Sequence, residues 1–322
     1  MKNSEAKIKK EIILLGLYSV ISCVLFLYVL SLSNYLLALV LFIVLLMALG
    51  NIKGRINLQI NFVHFRKFSF DETSGQFEVA KPVHFFSDYK QHGVLLLHGF
   101  SASPQEFRFL IPLLKEKSIS FYAPRLTGFG ILDLTTLKNV QSIHWLNDAL
   151  EAFDLLRKHV DEVSVVGHSM GGLLAVLVAQ RRDVKQLLLS APYLVENENH
   201  SFRKKILKIS IVFFVMRLFL PVVKKSTFDE ESDRFVYHAV PINSIKALWN
   251  LHSFLNFTNL KNRIYLFSGK LDNTSCTRSN ENLLSGENVS FQKYEFDKSG
   301  HNILEGTEKE AVANKIIEIL TT

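Results

Sequence analysis

No charged residue occurs between Ile12 and Ile52. A membrane-spanning helix takes about 20 apolar residues, so this run is long enough for two. Its only polar cluster, Ser31-Leu32-Ser33-Asn34, divides it into Ile12–Leu30 and Tyr35–Leu49. Lys2, Lys7, Lys9 and Lys10 precede the pair, and Lys53, Arg55, Arg66 and Lys67 follow it. Positive flanks on both sides put both ends on the cytoplasmic face, as a helical hairpin requires. A cleaved signal peptide has a much shorter apolar core. A single long tilted helix would place the remainder outside, against its own positive flank. The expectation is a two-helix anchor over residues 1–53 in an inner or plasma membrane. A cytoplasm-facing domain would then occupy 54–322.

Composition agrees with a membrane setting. The chain of 322 residues is 48% hydrophobic and carries a formal charge of +7. Its lysines and arginines are scattered or border apolar segments, without the basic, aromatic-interleaved stripe of a nucleic-acid binder. Nucleic acid is therefore not an expected partner, whereas membrane lipid is. Cys23 and Cys276 are too few for a disulfide framework and fit a reducing compartment. No cluster of metal-ligand spacing occurs. Nothing in the sequence fixes an oligomeric state.

Beyond the anchor, Asn57–Phe70 alternates polar and apolar residues, which predicts a half-buried strand, and Asp71–Gly75 reads as a turn. Short apolar runs at Val94–Leu97, Ser120–Ala123, Val163–Val166, Gln186–Leu189, Arg263–Phe267 and Phe291–Phe296 read as strands. Helical patterns separate them: one closing at Pro112–Lys117, then Ile143–His159, Met170–Gln180 and Glu308–Leu320. Strands alternating with helices imply a mostly parallel sheet covered on both faces.

The stretch EVSVVGHSMGGLLAVL, from Glu162 to Leu177, places Ser169 between a strand and a helix within G-x-S-x-G. Such a turn strains the serine backbone and stands its hydroxyl at the carboxyl end of the strand. The helix behind it favours developing negative charge. A serine needs a base, and the base needs an orienting acid; in elbows of this kind both follow downstream, acid first. Asp272 lies just past the strand that ends at Gly269, and Ser299-Gly300-His301 follows Phe291–Phe296. Asp297 and Glu305 are nearer to His301 in sequence and compete for the role of acid. Asp297 reads as shaping the loop, Glu305 as flanking a helix. An oxyanion would be held by the backbone N–H of Met170 and one from His98-Gly99-Phe100, for which Phe100 is the choice.

LLLHGF (95–100), APRLTGFG (123–130), Trp145 with Asp148, GHSMGG (167–172), SGKLD (268–272) and SGH (299–301) together resemble the α/β-hydrolase superfamily. The resemblance covers roughly Gly93 to Leu320 and is nearest to its monoacylglycerol lipase and bacterial carboxylesterase branch, also grouped with serine aminopeptidases. It implies an α/β-hydrolase fold and neither metal nor organic cofactor. Phe129 departs from it, standing where that branch commonly has histidine.

About 70 residues separate Ser190 from Arg263, far beyond an ordinary loop. In the resembled fold this insert, here about 193–260, is a helical lid. Its segment HSFRKKILKISIVFFVMRLFLPVVKK (200–225) is an apolar helix candidate with basic edges. That pattern suits a membrane interface and equally a cap packed over an acyl pocket. The charge-free stretch between Lys208 and Arg217 is too short to span a bilayer. Residues 236–255 read as lid returning to the core. The expected protein is thus a membrane-anchored serine hydrolase of lipid-like carboxylic esters, such as monoacylglycerols, lysophospholipids or short to medium acyl esters. A thioesterase or acyltransferase would use the same three residues. A peptidase would want an acidic pocket for the peptide amine, and none is evident. A non-catalytic scaffold would have had no use for the intact serine, acid and histidine.

Overall fold

The computed structural model describes residues 2–31, 35–195, 210–225, 233–257, 260–275 and 277–322. Two long helices, α1 (Lys2–Ser31) and α2 (Tyr35–Phe65), open the chain. Glu11 pairs with Arg55 at 2.8 Å, and the rings of Phe26 and Phe42 lie 5.8 Å apart. These two contacts fix an antiparallel pair. Both helices are long and apolar enough to cross a membrane, and their apolar side chains point outward, Leu36 being 75% exposed. An apolar surface of that extent needs a covering that water cannot supply.

Helix α2 does not stop at Leu49. It runs through Lys53 and on to Phe65, so the strand expected over Asn57–Phe70 is helix for most of its length. Strand pairing is confined to β1 (Phe70–Asp71) with β2 (Gln76–Phe77). The reason is tertiary. Read helically, Gly54, Asn61, Phe62 and Phe65 form one buried face. A polar-apolar alternation carries both periods, and burial of that face selects the helical one.

The catalytic-sized domain is built on a sheet of seven strands. In chain order they are β3 (Val83–Phe85), β4 (His92–Leu97), β5 (Ser120–Ala123), β6 (Glu162–His168), β7 (Gln186–Ser190), β10 (Arg263–Gly269) and β11 (Phe291–Phe296). Their order across the sheet is β11-β10-β7-β6-β4-β5-β3. Every pairing is parallel except β3 with β5. Apolar cores cover both faces: Trp145, Phe153 and Leu173 belong to one, Phe107, Leu188 and Ile316 to the other. Progression across the sheet reverses between β4 and β6. Crevices at such a reversal, outside the carboxyl ends of the strands, are where open α/β sheets bind ligands.

Within the insert, the described part of the apolar 200–225 segment, residues 210–225, is helical only over α7 (Ser210–Phe219), where a helix was expected throughout. Residues 196–209 lie outside the described residues. The chain then forms a small hairpin, β8 (Val222–Lys224) with β9 (Ala239–Pro241), and returns through α8 (Ile242–Leu251).

Candidate active site

Strand β6 delivers Ser169 at its carboxyl end, and helix α6 (Met170–Ala179) leaves at once. The turn is tight. Ser169 has φ +52°, a region that side chains rarely occupy. The helix must also pass close to β4: a Cβ on Gly171 would sit 1.8 Å from the Leu97 carbonyl oxygen. Only glycine fits there. The strain at Ser169 is held by packing, because α6 is buried along most of its length.

Three side chains from three loops converge. His301 Nε2 lies 2.9 Å from Ser169 Oγ, and His301 Nδ1 lies 2.9 Å from Asp272 Oδ2. Asp272 itself is fixed. Its Oδ1 accepts the N–H groups of Thr274 and Ser275 at 2.7 and 3.0 Å, and its Oδ2 accepts the Ser275 hydroxyl at 2.6 Å. Burial works against the charge, but the bonds from His301, Ser275 and Thr274 win and hold the carboxyl below its usual range. The two competing acids are placed elsewhere. Asp297 pairs at the surface with Lys270 at 2.6 Å, and Glu305 pairs with Arg234 and with Arg108.

The loop bearing Phe100 stands beside this row. Buried His98 donates from Nδ1 to the Gly99 carbonyl at 2.9 Å and accepts the Leu126 N–H at Nε2, 3.2 Å away. Burial lowers its pKa to about 4, which keeps the ring neutral and leaves Nε2 free to accept. Phe100 meets Phe129 and Trp145 edge-on at 5.6 and 5.9 Å. Trp145 donates to the Thr127 carbonyl at 2.9 Å, and Asp148 accepts both the N–H and the hydroxyl of Thr127. Phe129 stacks on Trp145 at 5.6 Å. At the position where the resembled branch commonly has histidine, this chain therefore has an apolar ring closing an aromatic cluster.

Beneath the loop lies a buried ionic cluster that sequence reading missed. Glu106 accepts the Gly99 N–H at 2.8 Å with one oxygen and Arg234 at 3.1 Å with the other. Arg234 also reaches Glu305. Lys225 donates to the Ser101 hydroxyl at 2.5 Å. Burial, with Glu305 nearby, raises the Glu106 pKa to about 7 against the pull of Arg234. Burial and Arg234 lower that of Lys225 to about 8. His168, next to Ser169, is driven well below its ordinary value by burial and by His301, so it is a neutral packing residue. The one sequence signal for this cluster was Glu106 itself, a lone carboxylate in the stretch SPQEFRFL.

The arrangement suits acyl transfer: a hydroxyl aligned with an imidazole, an imidazole aligned with a carboxylate, and a backbone loop alongside. No group of three or more metal-ligating side chains occurs among the described residues.

Comparison with known proteins bears on the family. Residues 94–314 match the family described as "Alpha/beta hydrolase family". A carboxylesterase of Bacillus subtilis (strain 168) is 22% identical over 249 residues, covering 76% of this chain and 98% of that protein. A thermostable monoacylglycerol lipase of Bacillus sp. (strain H-257) is 29% identical over 100 residues, which is 30% of this chain and 38% of the lipase. Among solved structures, a metagenome-derived lipolytic enzyme superposes with a TM-score of 0.65 at 20% identity, covering 76% of this chain and 98% of its own. The match spans the sheet from within β4 onward, the elbow and the loops carrying Asp272 and His301, and the chain belongs to the alpha/beta hydrolase family.

Proposed function

We propose that this esterase/lipase-type hydrolase is a membrane-anchored serine enzyme that cleaves lipid-like carboxylic esters through an acyl-enzyme. Ser169 attacks the ester carbonyl while His301 takes its proton. Asp272 orients the imidazole and stabilises the imidazolium. The N–H groups of Phe100 and Met170 hold the tetrahedral oxyanion. His301 then protonates the leaving alcohol, and afterwards activates the water that releases the acyl group. The observation that carries this reading is the unbroken hydrogen-bonded row from Asp272 through His301 to Ser169.

In this reading residues 1–53 are the anchor, 54–322 the hydrolase domain and about 193–260 its lid, with the active site on the cytoplasmic side. Two features support amphipathic substrates: the two apolar helices at the N-terminus, and similarity to a monoacylglycerol lipase. The test is fluorophosphonate labelling of the full-length protein, followed by an ester panel graded by chain length and head group. The expected result is one labelled site, lost in Ser169→Ala, with turnover favouring monoacyl lipids. A folded Ser169→Ala protein with undiminished turnover would sink the mechanism.

A further inference from the structure

The end of α7 packs against the anchor where its charge-free run ends. A Cβ on Gly50 would stand 1.7 Å from the Phe219 carbonyl oxygen, and Gly54 faces Pro221 and Val222. Lys53 and Arg55 are the first charges after that run. If α1 and α2 occupy a bilayer, as the proposed function holds, α7 therefore lies at the bilayer's boundary. Its outer face agrees: Ile211, Phe214 and Val215 are 67%, 49% and 44% exposed, an apolar stripe suited to the headgroup–acyl junction.

Under that helix lies a cleft of about 660 Å³ between α7, α8 and α4 (Thr135–Asn139) with the loop that follows it. Three cations line it, one from each wall: Lys138, Arg217 and Lys246. Among the described residues no aspartate or glutamate lines it. None of the three makes a salt bridge among the described residues. The remaining polar lining is amide or hydroxyl, including Gln141, Asn243 and Asn250, with Phe213 as an apolar floor. Lys246 is already drawn in, its Nζ 4.6 Å above the Phe213 ring. Asn243 is braced by donating to the Lys138 carbonyl at 3.0 Å.

We propose that this cleft binds the phosphate headgroup of an anionic phospholipid. Three positive charges with no acidic partner among the described residues concentrate phosphate, the amides complete its hydrogen bonds, and the exposed apolar face of α7 borders the acyl chains. The site is distinct from Ser169 and needs no turnover. It would seat the lid against anionic lipid at the level where substrate leaves the bilayer.

The test uses full-length protein in an uncharged detergent, with thermal unfolding as the readout. Dihexanoylphosphatidylglycerol, dihexanoylphosphatidylcholine and inorganic phosphate are titrated separately. Each basic residue beside an anionic headgroup contributes roughly a fivefold preference, so the phosphatidylglycerol midpoint should fall at least about tenfold below that of phosphatidylcholine. The variant K138Q/R217Q/K246Q should lose that difference while hydrolysing a soluble short-chain ester as the parent does. Should the triple change lower the basal melting temperature, R217Q alone, on an exposed helix face, should still reduce the preference. Equal midpoints for the two lipids, or an undiminished preference in the variants, would overturn the proposal. A response to inorganic phosphate matching that to phosphatidylglycerol would make this a free-anion pocket and overturn the lipid assignment. Retention in the membrane fraction after carbonate washing reports on the anchor separately, so loss of the anchor reading and loss of the site are told apart.

Discussion

The side chain of Asn61, near the end of α2, donates to the Ala239 carbonyl at 2.7 Å and accepts the N–H groups of His238 and Ala239 at 2.8 and 3.0 Å. One amide thus joins helix α2 to the β8–β9 hairpin across 178 residues of sequence. The join continues on either side. His64 Nε2 lies 2.7 Å from the Arg234 carbonyl oxygen, and Phe65 stacks on Phe235 at 4.7 Å. Arg234 then leads to Glu106 and the Gly99 N–H. The last turns of α2 therefore pack with the sheet domain and reach the loop bearing Phe100 in three steps.

Truncation should show this. Removing residues 1–53 leaves Asn61, His64 and Phe65 in place, and the remaining chain should still hydrolyse a soluble short-chain ester. Removing residues 1–65 should abolish soluble expression or activity. Asn61→Ala should cost about 3 kcal/mol in denaturant unfolding, because three buried bonds lose their partner at once. Equal behaviour of the two truncations would show that the helix end is dispensable.

Removing a member of the hydrogen-bonded row should cost far more than removing the neighbouring carboxylate outside it. Ser169→Ala and His301→Ala should each lower kcat by several orders of magnitude, roughly 10⁴-fold or more. Asp272→Asn should lose a comparable factor through misorientation of the imidazole. Asp297→Asn, which removes only a surface pair with Lys270, should change kcat less than about twofold. A larger loss in Asp297→Asn than in Asp272→Asn would reassign the acid.

These residues were legible because each sits in a short local pattern at a strand end. G-x-S-x-G, HGF, SGKLD and SGH need no knowledge of distant contacts. What was not legible is long-range. Glu106 meets Arg234 across 128 positions and Arg234 meets Glu305 across 71, and no local spacing announces such a cluster. The extension of α2 was misread for a different reason. Asn57–Phe70 supports both a strand and a helix period, and only its burial against β9 and Phe235 decides. The β8–β9 hairpin is not legible in the sequence because its strands are only three residues each.

The elbow offers a steric test. In Gly171→Ala the new methyl would meet the Leu97 carbonyl at 1.8 Å, a backbone atom that cannot swing aside. Overpacking of this severity should destabilise by about 3 kcal/mol or more. The expected result is loss of folded protein or a melting temperature many degrees lower. A stable, fully active Gly171→Ala protein would mean that α6 leaves the strand by another path.

Glu106 and Lys225 should give stability two separate dependences on pH. The folded carboxyl titrates near 7 rather than 4.5. Between those values the unfolded chain has released a proton that the folded chain keeps, so rising pH favours unfolding. Lys225 titrates near 8 rather than 10.5 when folded. Between those values the unfolded chain binds the extra proton, so rising pH favours folding. Denaturant midpoints for Glu106→Gln should lose the fall between pH 4.5 and 7 and keep the rise above 8. Parallel curves for parent and variant below pH 7 would remove Glu106 from the account.

Topology is the sharpest test of the anchor. Glu11 pairs with Arg55 and Phe26 meets Phe42, so α1 and α2 run antiparallel. Should both cross a bilayer, Lys10 and Lys53 must then share one side, and the positive flanks make that side the cytoplasm. Reporters fused after Lys10 and at Thr322 should both read cytoplasmic, and the protein should resist extraction by carbonate and high salt, since neither weakens apolar burial in lipid. A reporter at Thr322 on the outer side, with Lys10 inside, would require the antiparallel pair to come apart in the membrane. It would also place Ser169 on the opposite face from the one proposed.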